Sequence, residues 1–196
     1  MSTPLAQTAL DQLFNHARTH SHWQERDVSD ALLQQLYALA RLGPTSANAC
    51  PARFVFIRTP DAKAKLSPLL SPGNQSKTMQ APVTVIVAYD SRFYELLPQL
   101  YPHADAQSWF IGNEALIAET ALRNSSLQGA YLMMAARGLG LDCGPMSGFD
   151  QAGVNSTFFP DGRWRANFLI NLGYGIEAQL HPRSPRLDFD EACRIL

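Results

Sequence analysis

Five short stretches carry side chains whose types and spacing could do chemistry. Arg18, His20 and His22 alternate just past a helical pattern. In an extended chain one guanidinium fork and two imidazoles would then converge on a single point, as a phosphate clamp requires. His16 and His20 stand four apart, the spacing that puts two metal ligands on one helix face. No carboxylate accompanies them and Cys50 is remote, so no metal ligand is assigned. In Gly43-Pro-Thr-Ser-Ala-Asn48 a Gly-Pro pair ends a helix. Thr45, Ser46 and Asn48 follow on a forced turn, where backbone amides and short polar groups can meet a flat polar ligand. Asn74 falls in a turn-like Pro72-Gly-Asn-Gln-Ser-Lys77 run, and Gly144-Pro-Met-Ser-Gly148 reads as a tight loop. His181, Arg183 and Arg186 lie among prolines near the C-terminus.

Several familiar signatures are missing. There is no phosphate-binding G-x-x-x-x-G-K-[ST] and no H-E-x-x-H. Gly138-Leu-Gly140 lacks a third glycine and closes a helix where a dinucleotide fingerprint opens one. Ser147 sits one place late for a G-x-S-x-G nucleophile.

Elements with three- and four-residue apolar spacing must position these groups. Leu5 to Arg18 reads as a helix, as does a second segment capped by Ser29, with Asp30 in its first turn and a buried stripe from Leu32 to Ala40, stopped by Gly43-Pro44. Glu114 to Arg137 is the longest helical pattern, apolar enough for a dimer core, and Gly138 and Gly140 stop it. Short helices are predicted over Lys63–Leu70 and Lys77–Gln80, separated by Ser71-Pro-Gly-Asn74. Arg53–Arg58, Val83–Tyr89 and Phe168–Gly173 are β-branched or aromatic runs and read as strands. Three strands are few for a doubly wound sheet, so the fold class expected is α+β, as a single domain over 1–196.

Composition narrows the function. Across 196 residues, 16 basic and 17 acidic side chains give a net charge of −1, which offers a nucleic acid no basic face. The longest strongly apolar run, Val83–Tyr89, is far short of a membrane helix. Three scattered cysteines without a C-x-x-C pair argue against a disulfide scaffold and for a reducing cytoplasm. The expectation is a cytoplasmic protein that engages neither nucleic acid nor membrane.

Taken in order, Gly43–Asn48, Phe93–Leu100, Arg123–Ser126, Gly144–Asp150 and Asn171–Gly175 resemble the FMN-dependent nitroreductase family over nearly the whole chain. Within it they are similar to the subgroup of the malonic semialdehyde reductase of uracil degradation. The resemblance implies a mixed β-sheet flanked by helices in an intertwined homodimer, with FMN sites at the interface. Arg18, His20 and His22 stand at the family's phosphate-holding opening, with two histidines replacing serine and a base. Ser46, Ala47 and Asn48 match a loop that lines the flavin of the neighbouring subunit. Cys50 and Ala52 replace the usual glutamine and tryptophan. Asn74 matches the asparagine on the pyrimidine edge of the ring. Pro145, Met146, Ser147 and Gly148 match the loop whose amides face flavin N5, with Ser147 where many relatives carry glutamate. His181 and Arg183 fall near the phosphate.

That family implies a ping-pong cycle in which NADH or NADPH gives hydride to flavin N5 and a second substrate takes it from there. No catalytic side chain is strictly required. A carbonyl acceptor still needs a proton donor, and water, the ribityl hydroxyls and Ser147 all meet that need. Three functions remain open: reduction of malonic semialdehyde to 3-hydroxypropionate, broad nitro or quinone reduction, and flavin or metal binding without turnover. For a small aldehyde acid, Arg53 and Arg123 are the candidate partners of the carboxylate, and the aromatic Phe93–Phe110 segment a candidate lid.

Overall fold

The computed structural model describes residues 3–196. Helix α1 (Gln7–Leu10) runs on as one π-helical stretch to Asn15 and buries none of its residues within the chain. Helix α2 (Asp30–Ala40) starts where the Ser29 hydroxyl accepts from the Leu32 amide at 3.2 Å. Such a cap is worth about 1 kcal/mol. Strand β1 (Ala52–Ile57) leads to α3 (Pro60–Leu66), which has Thr59 as cap and Pro60 in its first turn. Helix α4 spans Pro72–Gln80. Two helices separated by a break are present as expected, but the break ends at Ser71 rather than running to Asn74: Pro72 opens α4, and Asn74 lies in its first turn. Proline is favoured at that position because the first amides of a helix have no internal partner.

Strand β2 (Val83–Asp90) follows, then the short α5 (Leu97–Leu100) and the 25-residue α6 (Glu114–Gly138). Strand β3 (Asp142–Met146), α7 (Gln151–Phe158), β4 (Trp164–Gly173) and α8 (Phe189–Ala192) complete the chain. Much of the predicted tight loop at 144–148 is thus strand. The sheet order β1-β2-β4-β3 places β3 at an edge, where Pro145 can lack an amide without breaking an interior ladder. All three strand pairs among the described residues are antiparallel, and Thr19 and Cys143 form an isolated parallel bridge.

Side-chain alternation divides β2 between two helix layers. Val83, Val85 and Val87 pack with Leu33 and Leu36 of α2 and Leu132 of α6. Ile86 and Ala88 point the other way, towards Leu66 of α3 and Val154 of α7. Because both faces are covered, seven of its eight residues are buried. A third cluster joins Phe93, Leu97 and Phe110 to Ala49, Ile117 and Ala121. The aromatic segment is hence packed core buttressing the 45–50 loop, with Phe93 and Phe110 edge to face at 5.0 Å.

Candidate functional site

The N-terminal segment and the C-terminal arm meet around a cavity of about 410 Å³ lined by Arg18, Arg137, Arg183 and Arg186. Among the described residues, no carboxylate lines it. Each guanidinium is held by neutral carbonyls. Arg18 donates to His181 at 2.5 Å, Arg183 to Asn15 at 2.6 Å and Ala17 at 3.1 Å, and Arg137 to Leu13 at 3.0 Å. Arg186 donates to Ser184 and Pro185, both at 3.0 Å. Four like charges without a counter-charge repel one another, so a multivalent oxyanion there is favoured. Buried Arg137 Nε, which has no partner among the described residues, adds an unused donor. Arg137 was not predicted as part of the site. It ends a long helix, and only the packing of α1 beside it brings it to Arg18.

Strand β3 connects this cavity to a second cluster. Thr19 bridges Cys143, and five residues further on Gly148 meets Asn74, a span of at most ~17 Å. Asn74 Nδ2 donates to the Gly148 carbonyl at 2.7 Å, and the Ser71 amide donates to the same oxygen at 3.0 Å. A Cβ on residue 148 would come within 2.6 Å of Asn74 Nδ2 and 3.1 Å of Ser71 Oγ, so only glycine permits this approach. The amides of Ser147 and Gly148 make no hydrogen bond among the described residues. Two free donors therefore stand beside the Asn74 side chain, which keeps its carbonyl oxygen unused.

Helix α4 is fixed from below by Lys63, whose ammonium donates to the carbonyls of Thr78 at 2.8 Å and of Ala81. Burial holds Lys63 down at about 8. On the neighbouring edge strand, burial pushes the Cys143 thiol up to about 12.

Ser46, Ala47 and Asn48 form a strained loop apart from both clusters. Ala47, Asn48 and Cys50 all have positive φ, at 48°, 49° and 41°. Such backbone costs of order 1–3 kcal/mol per residue and persists only where surroundings enforce it. Here Asn124 Oδ1 accepts from the Ser46 amide at 2.8 Å, and Asn48 Nδ2 donates to Leu100 at 2.8 Å. The loop borders a largely apolar cavity of about 700 Å³ that includes Asn48, Cys50, Phe54, Leu96 and Trp164.

Three expectations need correction. Arg18, His20 and His22 do not converge. The chain bends at Ser21 and His22, and His22 is exposed. The His20 ring is drawn inward, 4% exposed, with Nε2 at 3.4 Å from Asp142 and its edge against Gly175, which has no side chain to obstruct it. Arg53 does not offer a free cation, because it pairs with buried Asp90 at 2.8 Å, and Asp90 also binds Arg163. Arg123 pairs with Glu119 one turn back on α6. Among the described residues, no three His, Cys, Asp or Glu side chains group as a metal site, and no helix is long and apolar enough to cross a membrane.

Fold and site together define an α+β protein with an arginine-lined cavity at one end of an edge strand and paired amide donors at the other. Residues 15–174 match the Nitroreductase family, and the chain belongs to it. It is 64% identical over 193 residues, 98% of this chain and 99% of the other, to a Burkholderia lata protein provisionally named NADH dehydrogenase/NAD(P)H nitroreductase. A Ralstonia nicotianae protein of the same provisional name is 60% identical over 98% of both chains. Among solved structures, a provisionally named nitroreductase from Exiguobacterium sibiricum, crystallised with FMN, superposes with a TM-score of 0.86. The overlap covers all of both chains at 21% identity, a likeness of fold.

Proposed function

We propose that this chain is an FMN-dependent NAD(P)H oxidoreductase, built as a single domain and working as a homodimer. One observation carries the reading: an uncompensated arginine cavity and a cluster of free amide donors sit at opposite ends of one strand. Arg18 and Arg183 would hold the flavin phosphate, with Arg137 and Arg186 adding charge. Asn74 would meet the pyrimidine edge, and the Ser147 and Gly148 amides the ring near N5. When bound, FMN supplies two-electron hydride chemistry between a nicotinamide and an acceptor. The residues themselves bind and orient. Ser147, exposed beside those amides, would donate a proton to a developing alkoxide.

Exposed apolar surface supports the dimer. Helix α6 buries Thr120, Asn124, Ser125 and Gln128 against its own chain and leaves Leu122, Leu127 and Tyr131 about half exposed. The C-terminal arm likewise exposes Leu187, Phe189 and Ile195. A second copy would cover both and bring its Ser46–Asn48 loop to the flavin.

The acceptor proposed is malonic semialdehyde, reduced to 3-hydroxypropionate, on the strength of the subgroup resemblance. A second reading, broad nitro or quinone reduction, is favoured by the geometry on two counts. Arg53 and Arg123 are already paired, and the cavity beside Asn48 is large and apolar. The test is NAD(P)H oxidation by the FMN-loaded protein with malonic semialdehyde, a nitroaromatic and a quinone in parallel. Turnover of the last two without the first would remove the semialdehyde assignment. Failure to bind FMN would remove the flavoenzyme.

A further inference from the structure

Behind the Asn74–Gly148 cluster lies a buried chain of side-chain hydrogen bonds that the binding role does not absorb. Thr84 on β2 donates to Asn171 Oδ1 on β4 at 2.7 Å. Asn171 Nδ2 donates to Thr78 Oγ1 on α4 at 3.2 Å, and Thr78 donates in turn to Met146 Sδ on β3 at 3.5 Å. Thr84, Asn171 and Thr78 are fully buried and Met146 is 8% exposed. Thr78 has one proton to give, and a partner on each side uses it as both acceptor and donor.

These four residues come from four different elements. Helix α4 carries Asn74 one turn before Thr78, and Ser147 and Gly148 follow β3 directly after Met146. The chain therefore ties the two elements that meet at the candidate flavin ring to the two inner strands of the sheet. Apolar contacts alone would permit small slides of α4 over the sheet, because they have no direction. Hydrogen bonds in a low dielectric fix the orientation, and leaving one unmade there is costly.

We propose that Asn171 is a positioning residue for flavin chemistry: through Thr78 it holds α4 and Met146 in one register, and so fixes Asn74 relative to the Ser147–Gly148 amides. The proposal rests on the FMN reading above. Misplacement of reacting groups by about 1 Å can lower a rate by about a hundredfold, so a loosened register has a measurable cost.

The experiment uses FMN-loaded protein and four substitutions: Asn171→Leu, Thr84→Val, Val85→Ala and Asn74→Ala. Leucine and valine keep the volume while deleting the bonds. Val85→Ala opens a buried cavity on the same strand without touching the chain of bonds. Readouts are melting temperature, the visible circular dichroism of the flavin, its midpoint potential, and the single-turnover rate of flavin reduction by NAD(P)H. We expect Asn171→Leu and Thr84→Val to alter the dichroism and potential and to slow reduction by about tenfold or more. Val85→Ala should lower only the melting temperature. If the two bond-deleting variants behave like Val85→Ala, the positioning role is overturned. Thr84→Val carries the test alone should Asn171→Leu not fold. If Asn74→Ala also leaves the flavin spectrum and potential unchanged, the FMN reading fails, and the proposal with it. A change at Asn74→Ala alone removes only the role of Asn171.

Discussion

Asn74 and Gly148 lie 74 residues apart in sequence and are joined by a 2.7 Å hydrogen bond from the asparagine amide to the glycine carbonyl. That bond spends one Asn74 donor inside the protein and leaves its oxygen for a ligand. It also ties the first turn of α4 to the end of β3, so helix and strand cannot separate without losing it.

Replacing Asn74 by alanine should therefore weaken FMN binding by about 1 kcal/mol, or about fivefold, the net worth of a neutral hydrogen bond. Titration of apoprotein with FMN, followed by flavin fluorescence, measures this. An unchanged dissociation constant and spectrum would place the ring elsewhere.

Arg18→Ala should cost more. A hydrogen bond to a charged group nets about 1.5–3 kcal/mol, which is about 10- to 150-fold in affinity. Arg137→Gln should cost less, since that guanidinium already donates to the Leu13 carbonyl and glutamine keeps part of its donor capacity. FMN binding should also weaken as salt rises, because the cavity gathers four exposed or half-buried cations. Affinity insensitive to both Arg18→Ala and salt would sink the phosphate assignment.

The long elements were legible in the sequence because their signals are local. The Ser29 cap, the apolar spacing of α6 and the β-branched run of β2 each need no distant partner. Strand β3 was hidden because glycine and proline read as a turn, and only its place at the sheet edge tolerates them. Asn74 was legible as a residue, whereas its helical setting was masked by the Pro-Gly before it. The histidines misled for a tertiary reason. Alternation of Arg18, His20 and His22 suggests one shared face, but Asp142 and the gap at Gly175, more than 120 residues away, draw His20 inward. Arg137 could not have been found from spacing at all.

Stability should depend on pH through Lys63. Its folded value of about 8 lies below the ordinary lysine value of about 10.4. Between those values the unfolded chain binds more protons than the folded one, so this lysine makes stability rise with pH across that window. Cys143 acts in the opposite sense above about pH 9, where its unfolded thiol ionises while the folded one, at about 12, does not. Comparing the wild type with Lys63→Met isolates the lysine, since both retain Cys143. From pH 7.5 to 9.5 the urea midpoint of the wild type should gain relative to that of the variant. A constant difference between the two would show that the ammonium is not penalised by burial.

The cysteines should separate by reactivity. Cys193 is exposed, Cys50 half-buried and Cys143 buried with a raised pKa. Access favours Cys193, and burial disfavours the Cys143 thiolate. Native protein at pH 8 should label rapidly at Cys193, more slowly at Cys50, and at Cys143 only on unfolding, as peptide mapping would reveal. Early labelling of Cys143 would mean that the β3 edge opens far more readily than its packing implies.

The proposed dimer offers the sharpest check on the site as a whole. Leu122 and Leu127 are 48% and 47% exposed on a helix that buries Thr120, Asn124, Ser125 and Gln128 alongside Ile117, Ala121 and Leu132, and a second copy of the chain would cover these two leucines. Nothing in either residue touches the arginine cavity or Asn74. Glutamate at both positions would bury charges in the proposed interface at a cost of several kcal/mol, so the double variant should be monomeric by light scattering. If the Ser46–Asn48 loop reaches the partner's flavin, that monomer should also lose at least about tenfold in FMN affinity, with Arg18 and Asn74 intact. The 45–50 strain should meanwhile persist, because Asn124 and Leu100 of the same chain hold it. A wild-type FMN complex of monomer mass would overturn the dimer. A monomeric variant that binds FMN as tightly as the wild type would instead show that each chain completes its own flavin site.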